Sequence, residues 1–403
     1  MIQQENYHHK LRRNITLLHW HGILLGLVFV LPVLVPFYQD RGLGFREFMI
    51  GEAVFSAVMI LMEVPSGWLS DVWKRRHTLT LAACTHMIGW TMLWQADTFM
   101  MTVAAQGMLG VGVALVSGTN SAMLYDSLQE LGRADEFRRQ EGKRHAVMLY
   151  AVGVSSLAGG VLYHWYPDLP VILTIGACFA ALLVTLLMVE PGRHKVDAHN
   201  NPFVDMAQTV AYAIHGHREI AGIIILSAVL FASTKMLMWS QQPYYIMLDV
   251  PEIWFGVFAA IGFFMGGLGG HFGHLIDGRF GNIAVLLVFM AVMVVFCLTA
   301  ALWPGHHAIP LLLAGSTIFG FAAPRVQAAI NRRVDGSRRA TILSAASLTV
   351  HLLAIQLFVL LGWADDHGGI TLALTILAGV VAGGAGVGLL LIRHINGTRE
   401  KVA

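Results

Sequence analysis

The amino-acid sequence predicts an all-α integral membrane protein: twelve transmembrane helices in two pseudo-symmetric six-helix bundles. Three observations predict it. The chain is 56% apolar and only 12% charged, with a mean hydropathy of +0.64, and a soluble domain carries about 25% charge. Its 403 residues divide into twelve apolar runs, each near the ~20 residues that a helix needs to cross a bilayer. One long polar stretch, 191–218, separates the sixth run from the seventh. A closed β-barrel is disfavoured because barrel strands alternate in polarity, whereas these runs are continuous.

The first predicted span, 15–37, follows a polar, basic start, MIQQENYHHKLRRN. It reads as a retained helix rather than a cleaved signal, since no small-residue cleavage site follows it. Spans at 47–69, 78–96, 98–124, 143–164 and 169–190 complete an N-terminal bundle, residues 1–190. After the linker 191–218, spans at 219–247, 253–276, 282–303, 307–329, 340–363 and 369–393 form a C-terminal bundle, residues 219–403. Pro32, Pro36, Pro65, Pro243 and Pro324 fall within these spans, where neighbouring helices and water satisfy the freed backbone groups. Of the 26 Lys and Arg residues, all but Arg41, Arg46 and Lys235 fall at the termini or in loops on one side. The excess of cations marks that side, with both termini, as cytoplasmic, and the expected location is a bacterial inner membrane.

The loop after the second span carries the densest information: Glu63-Val-Pro-Ser-Gly67, then Asp71, then Lys74-Arg75-Arg76. A related loop, Gly273…Asp277…Arg279, follows the second span of the other half. The fourth spans also end alike, in Tyr125-Asp126 before one basic loop and in Arg325…Asn331-Arg332 before another. Two matches in order imply an internal repeat, an architecture of secondary transporters whose sites lie between the halves near the bilayer midplane.

The Gly67…Asp71…Arg75-Arg76 spacing between spans two and three resembles the loop signature of the major facilitator superfamily. The wider run Glu63–Asp71, the segment Pro36–Leu43 and the end of span four at Gly118–Ser127 are similar to a bacterial branch of it. The resemblance implies two rocking six-helix bundles, a cytoplasmic gate at Gly67, Asp71, Arg75 and Arg76, and a second gate at Gly273, Asp277 and Arg279. The sequence departs from the pattern at Val72 and Lys74. It also lacks two markers of proton-driven drug exporters: Val103 stands where they carry Arg, and Ser155-Ser156 where they carry Gly-Pro.

Ionisable residues within spans are costly and mark functional candidates. Glu63 and Asp126 are the candidates for coupling to protons. Asp71 is expected to cap a neighbouring helix start, Arg75 and Arg76 to bridge to a carboxylate or to a helix C-terminus, and Glu63 to gate through a structural pairing with Arg144 or another cytoplasmic-end cation. Lys235 is the sharpest intramembrane charge, with Gln241, Gln242, Tyr244 and Tyr245 following on the same span. Lys235, Gln241, Gln242, Tyr244, Asn120, Gln356 and Arg325 are therefore the candidate substrate contacts. Snorkelling of Lys235 into an interfacial aromatic belt is the competing reading.

Other chemistries find little support. Cys84, Cys178 and Cys297 lie singly in apolar runs, which fits neither a disulfide framework nor a CxxC metal motif. His271 and His274 are weak metal candidates at i,i+3, two ligands where a complete site needs more. There is no GxxxxGK[ST] phosphate loop, and the net charge of +2 does not suggest a nucleic-acid partner. The expectation is a monomeric, cofactor-free transporter, not an enzyme. It exports a small amphiphilic or zwitterionic solute, with protons as the driving ion. The alternatives are an importer of a metal ion, metal chelate or siderophore-like compound, and a non-transporting receptor or scaffold.

Overall fold

Apolar runs of this length close their backbone hydrogen bonds internally when they form helices, and the computed structural model is mostly helical, with short turns between helices, over its described residues. These are residues 2–192, 218–272, 281–331 and 339–399. The second loop motif, Gly273, Asp277 and Arg279, lies outside them with His274, as does the side chain of His271.

Helix α1 spans Ile2–Gly26, a short α2 Leu34–Gln39, α3 Phe45–Val72, α4 Arg75–Trp94, α5 Phe99–Glu130, α6 Phe137–Trp165 and α7 Leu169–Leu187. Then come α8 Arg218–Met247, α9 Glu252–Phe272, α10 Asn282–Leu302, α11 Ile309–Asn331 and α12 Arg339–Arg399. Helix α12 runs through the last two predicted spans and breaks at Gly368 and Gly369, where Gly369 takes φ 67°. That left-handed backbone is open to glycine and strained for other residues.

Among the described residues, nine segments are long and apolar enough to cross a membrane. Helix α4, whose His77, His86 and threonines dilute its apolar content, does not join them, and Glu252–Leu268 is a shorter apolar helix. The last two predicted spans form one continuous run, Ala345–Ile392. The multi-pass helical architecture is therefore present without a separate count of twelve.

The chain forms two compact units. Unit 1 comprises residues 1–43, 54–198 and 251–264; unit 2 comprises 44–53, 199–250 and 265–403. The opening turns of α3 thus belong to unit 2, and the opening turns of α9 to unit 1. Glycines allow the close approaches within each unit. A Cβ on Gly256 of α9 would overlap the Ser156 carbonyl oxygen of α6, and one on Gly320 of α11 would overlap the Gly266 carbonyl oxygen of α9. Small residues let helix backbones touch where no water is present to drive association.

Candidate functional site

In unit 1 the polar chemistry gathers around the start of α4. Its first residues leave backbone N–H groups without intrahelical acceptors, and Lys74, at the capping position, makes no side-chain cap. The carboxylate of Glu190 takes that place. Its two oxygens accept from the Arg75 N–H at 2.9 Å and the Arg76 N–H at 3.0 Å. A carboxylate there also faces the positive end of the helix dipole. Asn14 of α1 positions this segment, donating to the Val189 carbonyl at 2.6 Å and accepting from the Val189 N–H at 3.0 Å. The capping role expected of Asp71 thus belongs to Glu190. Asp71 is exposed on the last turn of α3 and makes no ion pair among the described residues. Glu190→Ala is expected to cost about 1–2 kcal/mol, read as earlier labelling of the buried thiols Cys178 and Cys297 in a thermal ramp with a thiol-reactive dye.

The expected bridge from the basic run is present. An Arg75 terminal nitrogen lies 3.1 Å from an Asp126 carboxylate oxygen, both side chains being only 12–13% exposed. The guanidinium of Arg75 is half used, since its Nε and other amino group are buried without a hydrogen-bond partner. Arg76 donates to the Leu186 carbonyl at 2.9 Å. Gly67 stands open, with nothing within 4 Å of the place a Cβ would occupy.

Glu63 is exposed and forms no ion pair among the described residues. Its expected partner, Arg144, lies elsewhere: buried on α6, it donates to Glu141 at 2.6 and 3.0 Å, and Glu141 also accepts from Ser121 at 2.7 Å. Two histidines, His21 buried and His86 partly buried, lie within electrostatic reach of each other. His21 has neither ring nitrogen hydrogen-bonded, and His86 is bonded to the Ala82 carbonyl. Asn120 on α5 is 1% exposed and its side-chain oxygen has no partner.

In unit 2 the centre is Lys235 on α8. Its amine lies 3.9 Å from a carboxylate oxygen of Glu52, in the opening turns of α3, and 4.9 Å above the ring centre of Phe358. Glu52 is 8% exposed at its side chain and Lys235 30%. At 3.9 Å the charges attract by about 4 kcal/mol at an effective dielectric of 20. Desolvation, which costs several kcal/mol per ion, opposes that attraction. Phe48 and Trp239, edge-to-face at 4.9 Å, pack one turn from each partner.

The residues that follow Lys235 are committed to helix packing. Gln241 donates to the Leu312 carbonyl at 3.1 Å and accepts from Tyr245 at 3.2 Å. Tyr244, fully buried, donates to the Ala300 carbonyl at 3.2 Å and accepts from the Gly305 N–H at 3.1 Å. These bonds tie α8 to α10 and α11. Gln242 is buried, Gln356 is exposed, and Arg325 is buried with one donor on the Phe321 carbonyl at 2.6 Å. The two cations outside the basic loops, Arg41 in the turn after α2 and Arg46 at the start of α3, are paired as well, Arg41 with Asp168 at 2.8 Å and Arg46 with Asp366 at 3.1 Å.

Glu52, Glu141 and Glu190 are the residues that sequence reasoning passed over. Glu52 had a readable signal, a lone carboxylate inside an apolar run. Glu190 had none, because its partner lies 115 positions away. Among the described residues no group of three His, Cys, Asp or Glu side chains is placed to hold a metal ion.

Comparison with known proteins gives three findings. A family model described as Major Facilitator Superfamily matches residues 22–355. Among curated proteins, none matches the chain. Solved structures share the fold at low identity. A variant of the nucleoside transporter NupG superposes with a TM-score of 0.77 at 15% identity, over 94% of this chain and 99% of that one. A bacterial homologue of the human lysosomal transporter Spinster gives 0.72 at 15% identity, over 95% and 97%. A POT family transporter in complex with 5-aminolevulinic acid gives 0.71 at 12% identity, over 96% of each chain.

Proposed function

The chain belongs to the major facilitator superfamily, and from that premise we propose a secondary transporter that carries a small zwitterionic or amphiphilic solute by alternating access. Membership makes it a membrane transporter and not an enzyme. The single observation that carries the substrate reading is the Lys235–Glu52 pair. Opposite charges held at the outer limit of ion-pair distance offer a zwitterion one partner for each end. Phe358, Phe48 and Trp239 supply apolar surface beside them. We assign substrate contact to Lys235 and Glu52 first.

The gate in this reading is Arg75. It holds Asp126 with one arm and has donors to spare, so a second carboxylate, Asp71, can engage it when the loop rearranges. With Asp126 committed to Arg75, Glu63 is the carboxylate free to carry a proton. The skewed cation distribution supports cytoplasmic termini in an inner membrane.

Proteoliposomes test this directly. Radiolabelled phenylalanine and carnitine, both zwitterions with an apolar body, are offered with and without a pH gradient. Flux of a zwitterion is expected in the wild type. It should fall by roughly a hundredfold in Lys235→Ala or Glu52→Gln, the loss of about 2.7 kcal/mol of charge-assisted contact, and survive in part in Lys235→Arg. Glu63→Gln should abolish the response to the gradient while leaving solute exchange intact. Undiminished flux in both Lys235→Ala and Glu52→Gln sinks the substrate assignment.

A further inference from the structure

Beyond α7 the chain leaves the helix and runs through Met188, Val189, Glu190, Pro191 and Gly192. This short strap is tied down by remote residues of unit 1. Met188, 1% exposed, sits in an apolar cluster with Ile15 and Leu18 of α1, Leu79 of α4 and Leu128 of α5. Asn14 of α1 pairs with both backbone groups of Val189. The Gly192 N–H donates at 2.6 Å to a carboxylate oxygen of Glu130, the last residue of α5. Between these ties stands Glu190, whose carboxylate caps α4.

Tyr7, half-buried near the start of α1, adds a tie to Glu190 itself. Its phenol oxygen lies 3.2 Å from the Glu190 carbonyl oxygen and 3.2 Å from the Glu130 oxygen that Gly192 uses. The single O–H proton is shared between these two acceptors. Tyr7 and Asn14 stand seven residues apart, about two turns along one face of α1, with Leu11 fully buried between them. One stripe of α1 therefore holds Val189 and Glu190 in succession. Glu190 is fixed at two points, its carbonyl by Tyr7 and its carboxylate by the Arg75 and Arg76 N–H groups. Freed from Tyr7, its backbone can turn about the tethered Val189, and its carboxylate loses its set distance to α4. Arg75 meets that change at its N–H while its guanidinium holds Asp126.

We propose that Tyr7 is a positioning residue for the gate turn of α4. From α1 it holds the strap 188–192, the strap holds Glu190, and Glu190 holds the start of α4, where Arg75 meets Asp126. That this turn is a gate rests on the reading of Arg75 given above; the chain of contacts from Tyr7 to α4 does not. Tyr7→Phe keeps the aromatic ring, removes the O–H, and leaves the hydrogen bonds of α4 formally intact. An effect of this substitution on α4 must therefore pass through Glu190. If Tyr7 only anchored the end of α1, its loss would be felt near residues 2–14 and not at Arg75.

The test is amide hydrogen–deuterium exchange of the full chain in phosphatidylcholine nanodiscs, which reads local opening. In Tyr7→Phe the Arg75 and Arg76 amides should exchange about threefold to tenfold faster, the worth of one hydrogen bond. Thermal labelling of Cys178 and Cys297 verifies that the variant is folded. In Glu190→Ala the same amides lose their acceptor and should exchange faster still. Adding Tyr7→Phe to Glu190→Ala should then change them no further, because the relay is already broken. Wild-type exchange at Arg75 and Arg76 in Tyr7→Phe overturns the proposal. So does faster exchange confined to residues 2–14, or an equal further increase when Tyr7→Phe is added to Glu190→Ala. The gate reading fails separately. Faster exchange in Tyr7→Phe, together with no energetic coupling between Arg75 and Asp126, supports the positioning and overturns the gate alone.

Discussion

Replacing Asp126 with Asn is expected to cost about 3–5 kcal/mol of stability, because it leaves the largely shielded Arg75 guanidinium without its counter-charge. Arg75 already has two donors without partners, and loss of Asp126 removes its ion-pair partner. The measurement is thermal unfolding of the purified protein, followed by dye labelling of Cys178 and Cys297. A double-mutant cycle gives the decisive comparison. Arg75→Gln with Asp126→Asn removes both charges, and it should unfold at a higher temperature than Asp126→Asn alone, since burying two neutral amides costs less than burying one unpaired cation. If the double variant is no more stable than the single one, the two residues are not energetically coupled and the basic run serves topology alone. A buried pair of this kind is weak evidence for net stability. Its value in the proposed gate is that it can be exchanged for another partner.

Gly256→Val should be a strongly damaging packing change in unit 1. A Cβ at Gly256 would overlap the Ser156 carbonyl oxygen and stand 3.1 Å from the Gly160 nitrogen. The contact is reciprocal: a Cβ at Gly160 would meet the Glu252 carbonyl oxygen at 2.6 Å. Carbon and oxygen prefer about 3.3–3.6 Å at such crossings, so α9 and α6 must part by about 1 Å. Backbone atoms cannot rotate aside as a side chain can. Overpacking of this type costs about 1–3 kcal/mol at a yielding site, and the loss should exceed that range here. Folded yield and thermal stability should follow the order wild type, then Gly256→Ala, then Gly256→Val. Gly176→Ala on α7 is the control, since nothing lies within 4 Å of its added methyl. Equal loss in Gly176→Ala and Gly256→Ala would mean that the helix crossing is not the cause.

Much of the architecture was legible in the sequence. Apolar runs near bilayer length leave helices as the structure that satisfies their backbone, and a run of that kind announces itself locally. The family loop was also local: Gly67, Asp71, Arg75 and Arg76 lie within ten residues, and their spacing is the signal. The Arg75–carboxylate bridge was anticipated in kind, and the structure supplies its partner, Asp126. Where the expectation concerned partners far apart, it went astray. Asp71 was expected to cap a helix, but Glu190 does so. Glu63 was expected to meet Arg144 or another cytoplasmic-end cation; it forms no ion pair among the described residues, and Arg144 meets Glu141, three residues earlier on its own helix. Gln241 and Tyr244 looked like polar groups for a solute, and their polar atoms are spent on neighbouring backbone.

By itself, then, the sequence determined that this chain is a bundle of apolar helices with a cationic face on its loops and a signature hairpin between its second and third spans. Those properties depend on composition and on spacing within a turn or two of helix. Tertiary structure alone decided which carboxylate answers a cation remote from it in sequence: Glu52 for Lys235 and Asp126 for Arg75. The physical reason is that an ion pair requires two groups within about 4 Å, while helix register and crossing bring together residues that are remote in sequence. A charge inside an apolar run implies that a partner exists, and only the packing of the helices says where it is.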